Sequence, residues 1–121
     1  MHSVDSSANA IELAKDNVAL NPGYDGVHEG FVADTLSFLE KTVNTYDLIV
    51  LDPPAYAKHT HVRHNALQGY KRLNLEAIKR INPGGILFTF SCSQVVDLPL
   101  FQDAVTAAGI IAGRQIRVLR Q

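Results

Sequence analysis

The chain has 121 residues, of which 46% are hydrophobic and 19% are charged, and its formal net charge is −1 at pH 7. These values predict one globular domain spanning residues 1–121, and they argue against a strongly basic nucleic-acid-binding domain. No apolar run approaches the ~20 residues of a membrane-spanning helix. The single cysteine excludes an intrachain disulfide and favours a reducing cytoplasm.

The first third of the chain alternates strand and helix patterns. Residues 2–5, HSVD, predict a short strand or the end of one. Residues 8–20 predict a helix, because apolar residues recur at helical spacing, with Ser6 or Ser7 as the N-cap and NPG at 21–23 as the stop. Residues 27–34, VHEGFVAD, predict a second strand, and a small helix is expected near 36–42.

The rest of the chain continues the alternation. The apolar run YDLIVL, residues 46–51, predicts a strand buried on both faces. A polar loop at about 55–63 leads into a long helix, which NPGG at 82–85 ends near residue 81. ILFTFS, residues 86–91, predicts a further buried strand.

The final stretch predicts one helix and one strand. Residues 98–108 predict a helix with Asp97 as its N-cap, Pro99 in its first turn and Gly109 just past its end. RQIRVLR, residues 114–120, alternates apolar and basic side chains, which indicates an edge or half-exposed strand.

This alternation predicts an α/β fold with a mostly parallel sheet. Ligands of such sheets bind beyond the carboxyl ends of the strands. Four polar residues follow apolar strands: Asp5, Asp34, Asp52 and Cys92. The sequence therefore predicts that they meet at one functional edge.

Four stretches carry a family resemblance: VDSSANAIELAKDNVALN, DLIVLDPPAYAKH, GYKRLNLEAIKRINPGGIL and FSCSQ. They resemble class I S-adenosyl-L-methionine (AdoMet) dependent methyltransferases and, more closely, the bacterial 23S ribosomal RNA large-subunit cytosine-C5 methyltransferases. The resemblance covers essentially the whole chain. LDPPAYAK, GYK-x-LN and SCS are specific in combination, whereas DPP alone is not. The resemblance implies a Rossmann-like fold, AdoMet as cofactor, RNA as partner and a cytoplasmic, membrane-free location.

The resemblance also implies residue roles. Asp5, with Ser6 beside it, would accept hydrogen bonds from the AdoMet ribose hydroxyls. Asp34 would approach the adenine amino group. Asp52, next to the sulfonium methyl, would hold the flipped target base together with Pro53. Cys92 would be the nucleophile that attacks C6 of the base.

Simpler structural roles compete with these assignments. Asp5 and Asp34 have the residue type of helix caps, and Asp52 before two prolines has that of a turn residue. Most free cysteines are small buried apolar residues, which is the alternative for Cys92.

The histidines of HTHVRH pose a separate question. His59, His61 and His64 are close in sequence, but no cysteine or fixed fourth ligand accompanies them, so we expect no metal site. The segment from Lys58 to His64, with Lys71 and Arg72 beyond, either faces RNA phosphates or is a solvated loop.

The sequence departs from the family pattern in several places. It lacks the first strand with its glycine-rich loop, the amino-terminal RNA-binding domain and the last hairpin. The absent strand would lie between the strands ending at Asp5 and Leu51, which would expose unpaired backbone on both. We therefore expect an incomplete catalytic domain, in which these two strands pair directly or a second chain fills the gap, as in a swapped dimer.

Two other functions remain open. Amino-group methyltransferases of adenine or guanine have an aromatic residue directly after the two prolines, whereas here Ala55 precedes Tyr56. A non-catalytic fragment is the other alternative, because the glycine-rich loop is absent.

Overall fold

The computed structural model describes residues 1–21, 23, 25–54, 63–92 and 96–119. The chain forms two compact units, Met1–Thr42 and Val43–Gln121. None of the helices in these ranges is long and apolar enough to cross a bilayer. The predicted loop at 55–63 lies almost wholly outside the described residues.

The first unit is built on a parallel pair of short strands. β1 (His2–Asp5) pairs with β2 (Glu29–Val32), and α1 (Ala8–Ala19) connects them. α2 (Thr35–Lys41) follows β2. Of the two predicted caps of α1, Ser7 is the one formed, because its Oγ accepts a hydrogen bond from the Ala10 N–H at 3.3 Å.

Neighbouring residues of β2 pack on opposite faces of this pair. Gly30 lies under α1, where a Cβ would come within 2.6 Å of the Ile11 side chain, so only glycine allows this approach. Phe31 points the other way and packs its ring against Phe38 of α2, with centroids 5.0 Å apart. Because the side chains of β2 alternate between two faces, α1 packs on one face of the strand pair and α2 packs on the other.

The second unit repeats the parallel arrangement. β3 (Tyr46–Leu51) pairs with β4 (Ile81–Thr89), and α3 (Arg63–Arg80) connects them. β4 begins directly after α3, at residue 81 and not at 86, because Tyr46 pairs with Ile81. The register then shifts, and Leu48 pairs with Ile86. The residues of NPGG are thus an irregular start of the strand.

The core of the second unit lies between α3 and α4 (Leu98–Ile111). Tyr70 is fully buried, and its ring meets that of Phe101 edge-on at 5.5 Å. Ala66 and Val96 complete this cluster. The buried residues Tyr70, Leu73, Ala77 and Ile78 recur at helical spacing along one side of α3.

The predicted end of α4 at Gly109 is wrong. Asp97 caps the helix as predicted, accepting from the Leu100 N–H at 3.0 Å, but the helix continues to Ile111. Gly109 is buried inside it, where a Cβ would meet the Ile116 side chain at 2.8 Å. Gly113, with a φ of 66°, is the residue that ends the helix.

The strand predicted at 114–120 is not formed by residues 114–119. A strand requires a neighbour that accepts its backbone hydrogen bonds, and none lies beside this segment in the described chain. Arg114 fastens the segment instead. Its Nη1 donates to the Ile78 carbonyl at 2.7 Å and to the Ile81 carbonyl.

Among the described residues, the strands form two two-stranded sheets, β1–β2 in the first unit and β3–β4 in the second. The prediction that YDLIVL is buried on both faces is also wrong, because Leu48 and Val50 are exposed. The helices in the described part of the second unit cover only one face of its sheet.

Replacing Arg114 with alanine should destabilise the second unit. The last carbonyls of a helix lack intrahelical partners, so loss of a cationic donor at the end of α3 should lower the free energy of unfolding by about 1.5–3 kcal/mol. Arg117→Ala, at an exposed position of the same segment, should change it by less than about 0.5 kcal/mol. Urea unfolding followed by circular dichroism compares the two. Equal effects would contradict the capping role.

Candidate active site

Two of the predicted site residues meet beyond β3 and β4. Asp52 follows the last residue of β3, and Cys92 lies three residues after the end of β4. Neighbouring parallel strands bring their carboxyl ends to the same edge. The backbone N–H of Phe90 donates to the Leu51 carbonyl at 3.0 Å, which extends this pairing beyond β4. Residues 40 positions apart therefore become neighbours.

The side chains of this pair interact directly. The Cys92 Sγ donates to the Asp52 Oδ1 at 3.8 Å. Both residues are exposed, so the thiol is accessible to a substrate and is not the buried apolar residue of the structural alternative. An accessible thiol beside a carboxylate combines a nucleophile with an acceptor for its proton.

The double proline presents one ring to solvent. Pro53 is buried and Pro54 is exposed, so the alternation of buried Leu51 and exposed Asp52 continues through both prolines. The exposed apolar surface beside Asp52 thus belongs to Pro54, whereas the sequence assigned the contact with a base to Pro53. The exposure of Pro54 could have been predicted from the sequence by continuing the period-two alternation of β3 through residue 54.

Asp5 and Asp34 follow the paired strands of the first unit. The Asp5 Oδ1 accepts a hydrogen bond from the Ser7 N–H at 2.7 Å, which orients an otherwise exposed carboxylate at the end of β1. Ser6 is exposed beside it. The sequence predicted Ser7 only as a cap of α1. Its backbone N–H also orients the carboxylate of Asp5, the predicted acceptor for the ribose hydroxyls.

Asp34 has a structural role. Its Oδ1 accepts from the Ser37 N–H at 2.9 Å, so it caps α2. The backbone and side-chain hydrogen bonds from Ser37 hold the pKa of the Asp34 carboxyl below its ordinary value, and partial burial opposes them weakly. The capping alternative is thus confirmed, and contact with an adenine amino group stays a prediction.

The four polar residues lie in two groups of two, one at the carboxyl end of each sheet. Asp5 and Asp34 belong to the first unit, and Asp52 and Cys92 to the second. Within the described ranges, no three His, Cys, Asp or Glu side chains are grouped closely enough to hold a metal ion. His59 and His61 lie outside those ranges, so the expectation for HTHVRH stays a prediction from sequence.

The residues present fit one part of AdoMet. An exposed carboxylate with a fixed orientation, as at Asp5, suits two neighbouring hydroxyls, because its oxygens offer several lone pairs. The eight glycines include no G-x-G sequence. A ribose-accepting role of Asp5 stays a prediction, and the sequence contains no G-x-G turn for the remainder of the cofactor.

The chain resembles curated proteins over its whole length. It is 39% identical over 125 residues to "Ribosomal RNA large subunit methyltransferase I" of Shewanella denitrificans, covering 100% of this chain and 31% of that protein. The protein of the same name from Cronobacter sakazakii is 41% identical over 123 residues, covering 98% and 31%. The chain thus spans about a third of the length of these relatives. No family model matches it.

Replacing Asp34 with alanine should destabilise the first unit in a pH-dependent way. Loss of an N-cap costs about 1 kcal/mol, which we expect at pH 7. Because the folded-state pKa lies below the ordinary value of 3.8, the stabilisation is present above that value and is lost as pH falls through the folded-state pKa. The variant and the parent chain should therefore converge in strong acid.

Amide hydrogen exchange of α2 as a function of pH measures this difference. Asp25→Ala, an exposed aspartate in the same unit, is the matched control and should leave the exchange of α2 unchanged. A loss of protection that stayed constant down to strong acid would contradict a cap that acts as a carboxylate.

Proposed function

We propose that this chain, which belongs to the family of the ribosomal RNA large subunit methyltransferase I proteins, forms part of an enzyme that methylates C5 of a cytosine in ribosomal RNA. The observation that carries this proposal is the exposed Cys92 thiol hydrogen-bonded to Asp52 beyond two neighbouring parallel strands. AdoMet is the proposed methyl donor, and the RNA is the large-subunit ribosomal RNA named for the relatives.

Cytosine C5 needs a nucleophilic catalyst because it is itself a poor nucleophile. The Cys92 sulfur forms a bond to C6 of the ring, and the ring electrons move so that C5 becomes enamine-like and nucleophilic. C5 then forms its bond to the methyl carbon as the bond between that carbon and the sulfur of the methyl donor breaks. A base removes the C5 proton, the C6–S bond breaks, and the thiolate leaves. Cysteine suits both the first and the last step of this reaction, because its thiolate attacks and departs readily.

Asp52 serves the proton transfers in this scheme. Its Oδ1 accepts the hydrogen bond of the Cys92 thiol, which supports Asp52 as the acceptor of that proton when sulfur attacks. The protonated carboxyl can then donate to N3 of cytosine, where negative charge develops, while the other oxygen accepts from the N4 amino group. The proton on N3 returns to the Asp52 carboxylate when the ring regains its aromatic form.

AdoMet supplies a methyl group on a positively charged sulfur. Of the residues in this chain, Asp5 is proposed to accept hydrogen bonds from its ribose hydroxyls, with Ser7 fixing the carboxylate and Ser6 alongside. Asp34 is proposed to lie near the adenine amino group. The glycine-rich turn for the rest of the cofactor would come from another part of the family protein.

Access to C6 requires that the target base leaves its stack. The exposed ring of Pro54 offers a rigid apolar surface for the extruded base next to Asp52. Arg72 is exposed on α3 and is a candidate contact for the RNA backbone. A base held against Pro54 would face Asp52 with its polar edge and Cys92 with C6.

Replacing Cys92 with alanine should abolish covalent attachment to RNA. The test uses the Shewanella denitrificans relative with its matched stretch replaced by this chain, incubated with AdoMet and RNA that carries 5-fluorocytosine at the target position. Fluorine at C5 cannot leave as a proton does, so the enzyme–RNA adduct should persist on a denaturing gel. With ordinary RNA, the methylation rate should fall roughly a thousandfold or more in Cys92→Ala.

The same variant separates the proposed chemistry from amino-group methylation. An enzyme that methylates an amino nitrogen needs no thiol, so Cys92→Ala would keep most of its activity and the parent would form no adduct. That result would reject C5 methylation. Mass spectrometry of the digested RNA identifies the methylated atom in either case.

Asp52→Asn in the same hybrid protein should lower kcat about 10²-fold, because an amide cannot accept the thiol proton or pass it to the ring. Asp47→Asn is the matched control. Asp47 lies at the other end of β3, where its carboxylate accepts from Asn82 at 2.9 Å, so its loss should leave kcat nearly unchanged. Equal losses in both variants would indicate a structural effect and contradict the proton-transfer role.

A further inference from the structure

Pro53 belongs to the predicted site, but the proposed chemistry gives its ring no contact. The sequence assigned it to the target base, whereas its side chain is buried and the exposed ring beside Asp52 is that of Pro54. The backbone of Pro53 is a different matter. A proline has no N–H, and this one follows the point at which the parallel ladder of β3 and β4 stops.

The register of the two strands shows which ladder bonds would come next. Leu51 pairs with Thr89, and the Phe90 N–H donates to the Leu51 carbonyl at 3.0 Å. Backbone groups of a strand alternate between its two edges, so the next residue of β3 that faces β4 is residue 53. An N–H there would donate to the Phe90 carbonyl, and its carbonyl would accept from the Cys92 N–H. Pro53 thus occupies the next step of the ladder.

Neither of these two bonds is formed among the described residues. Pro53 has no hydrogen to donate, and its ring carbon takes the place of that hydrogen, which displaces the Phe90 carbonyl. The Cys92 N–H is not bonded to the Pro53 carbonyl either. β4 accordingly ends at Thr89, and the chain beyond Phe90 leaves the ladder.

A continued ladder would hold Cys92 away from Asp52. Because Leu51 is opposite Thr89, Asp52 would be opposite Phe90, two residues short of Cys92. With strands about 4.8 Å apart and a rise of about 3.3 Å per residue, the two backbones would be about 8 Å apart at these positions. Side chains of a strand stand roughly perpendicular to the sheet, so the short Asp and Cys side chains would not close that gap.

The observed contact is much shorter than a ladder would allow. The Cys92 Sγ lies 3.8 Å from the Asp52 Oδ1. The contact therefore depends on the departure of the chain beyond Phe90 from the ladder. Asp52 stays in the alternating pattern of β3, since Leu51 and Pro53 on either side of it are buried. It is thus the β4 side that turns toward the carboxylate.

We infer that Pro53 is a positioning residue for the Cys92 thiol. By ending the ladder, it allows the chain beyond Phe90 to turn toward β3, and this turn brings the thiol to the Asp52 carboxylate. Any other amino acid at position 53 has an N–H and would favour two further ladder bonds. The inference rests on the proposed function, because this contact is the one through which the thiol proton is transferred.

The two prolines of the motif differ in this respect. The nitrogen of residue 54 faces the opposite edge of β3, so Pro54 removes no bond to β4. The missing N–H of Pro53 alone ends the pairing of the two strands, while the ring of Pro54 is exposed. The two neighbouring prolines thus act through different parts of their structure, one through the backbone and one through the ring.

Two replacements of Pro53 separate the missing N–H from the ring. Pro53→Ala introduces an N–H, whereas lactic acid, inserted at position 53 by nonsense suppression, has the same methyl side chain and an ester oxygen that cannot donate. Both are made in the hybrid protein used for Cys92→Ala. Amide exchange of Cys92 should slow at least about tenfold in Pro53→Ala, because its N–H gains a ladder partner. Exchange in the ester should stay at the parent rate.

Methylation kinetics of the same variants measure the consequence for the site. Pro53→Ala should lower kcat about tenfold and change KM by less than about twofold, because the base still binds while the thiol is displaced. The ester should return kcat to within about threefold of the parent. Equal losses of kcat in the two variants would show that the ring is what matters, which would overturn the inference. Unchanged exchange of Cys92 in Pro53→Ala would overturn it as well.

Failure of the proposed function has a different signature. A folded parent hybrid that does not methylate C5 would reject the proposed chemistry, but slowed Cys92 exchange confined to Pro53→Ala would still support Pro53 as the end of the ladder. An active parent, with slowed exchange but unchanged kcat in Pro53→Ala, would overturn the positioning role and leave the proposed function intact. Circular dichroism checks that each variant folds.

Discussion

The parallel pairing of β3 with β4 is the constraint on which the candidate active site depends. Asp52 and Cys92 are 40 residues apart in sequence, and neither strand alone gives either side chain a partner. Side-by-side strands running in the same direction deliver both residues to one edge. The hydrogen bond from the Phe90 N–H to the Leu51 carbonyl holds the ends of the two strands together, directly before Asp52 on one strand and two residues before Cys92 on the other. The site is thus a property of the sheet, since two separate elements must be in register to form it.

Features set by local chemistry were predictable from sequence. Asp97 was identified as a cap, and Ser7 as one of two candidates with Ser6, because an oxygen-bearing side chain before an apolar helical repeat satisfies free N–H groups. The run YDLIVL was found as a strand with its observed bounds, and Asp52 at its end follows directly. Cys92, which follows the apolar run at 86–91, was identified in the same way, so both residues of the pair could be predicted from the strands that precede them.

Features set by distant contacts were not predictable. Gly109 and Gly113 lie in the same short stretch, and the packing of Ile116 over Gly109 decides which one lies inside the helix. The alternating pattern at 114–119 indicates a strand only if a neighbouring strand is present. The 3.8 Å contact between Cys92 and Asp52 likewise depends on register, which the sequence does not state. Both faces of the YDLIVL strand are apolar, but the described part of the chain covers only one of them.

The junction of α3 and β4 has no connecting loop. α3 ends at Arg80 and β4 begins at Ile81, while Arg114 holds the carbonyls of Ile78 and Ile81 on either side of that boundary. The residues that follow Ile81 are irregular, since Gly84 has a φ of 81° and the register shifts before Ile86. Conformational freedom therefore lies between the fastened end of α3 and the regular pairing of β3 with β4. A displacement of α3 can be absorbed in this short stretch, so the spacing of the Cys92 thiol and the Asp52 carboxylate is insulated from movement at the helix end.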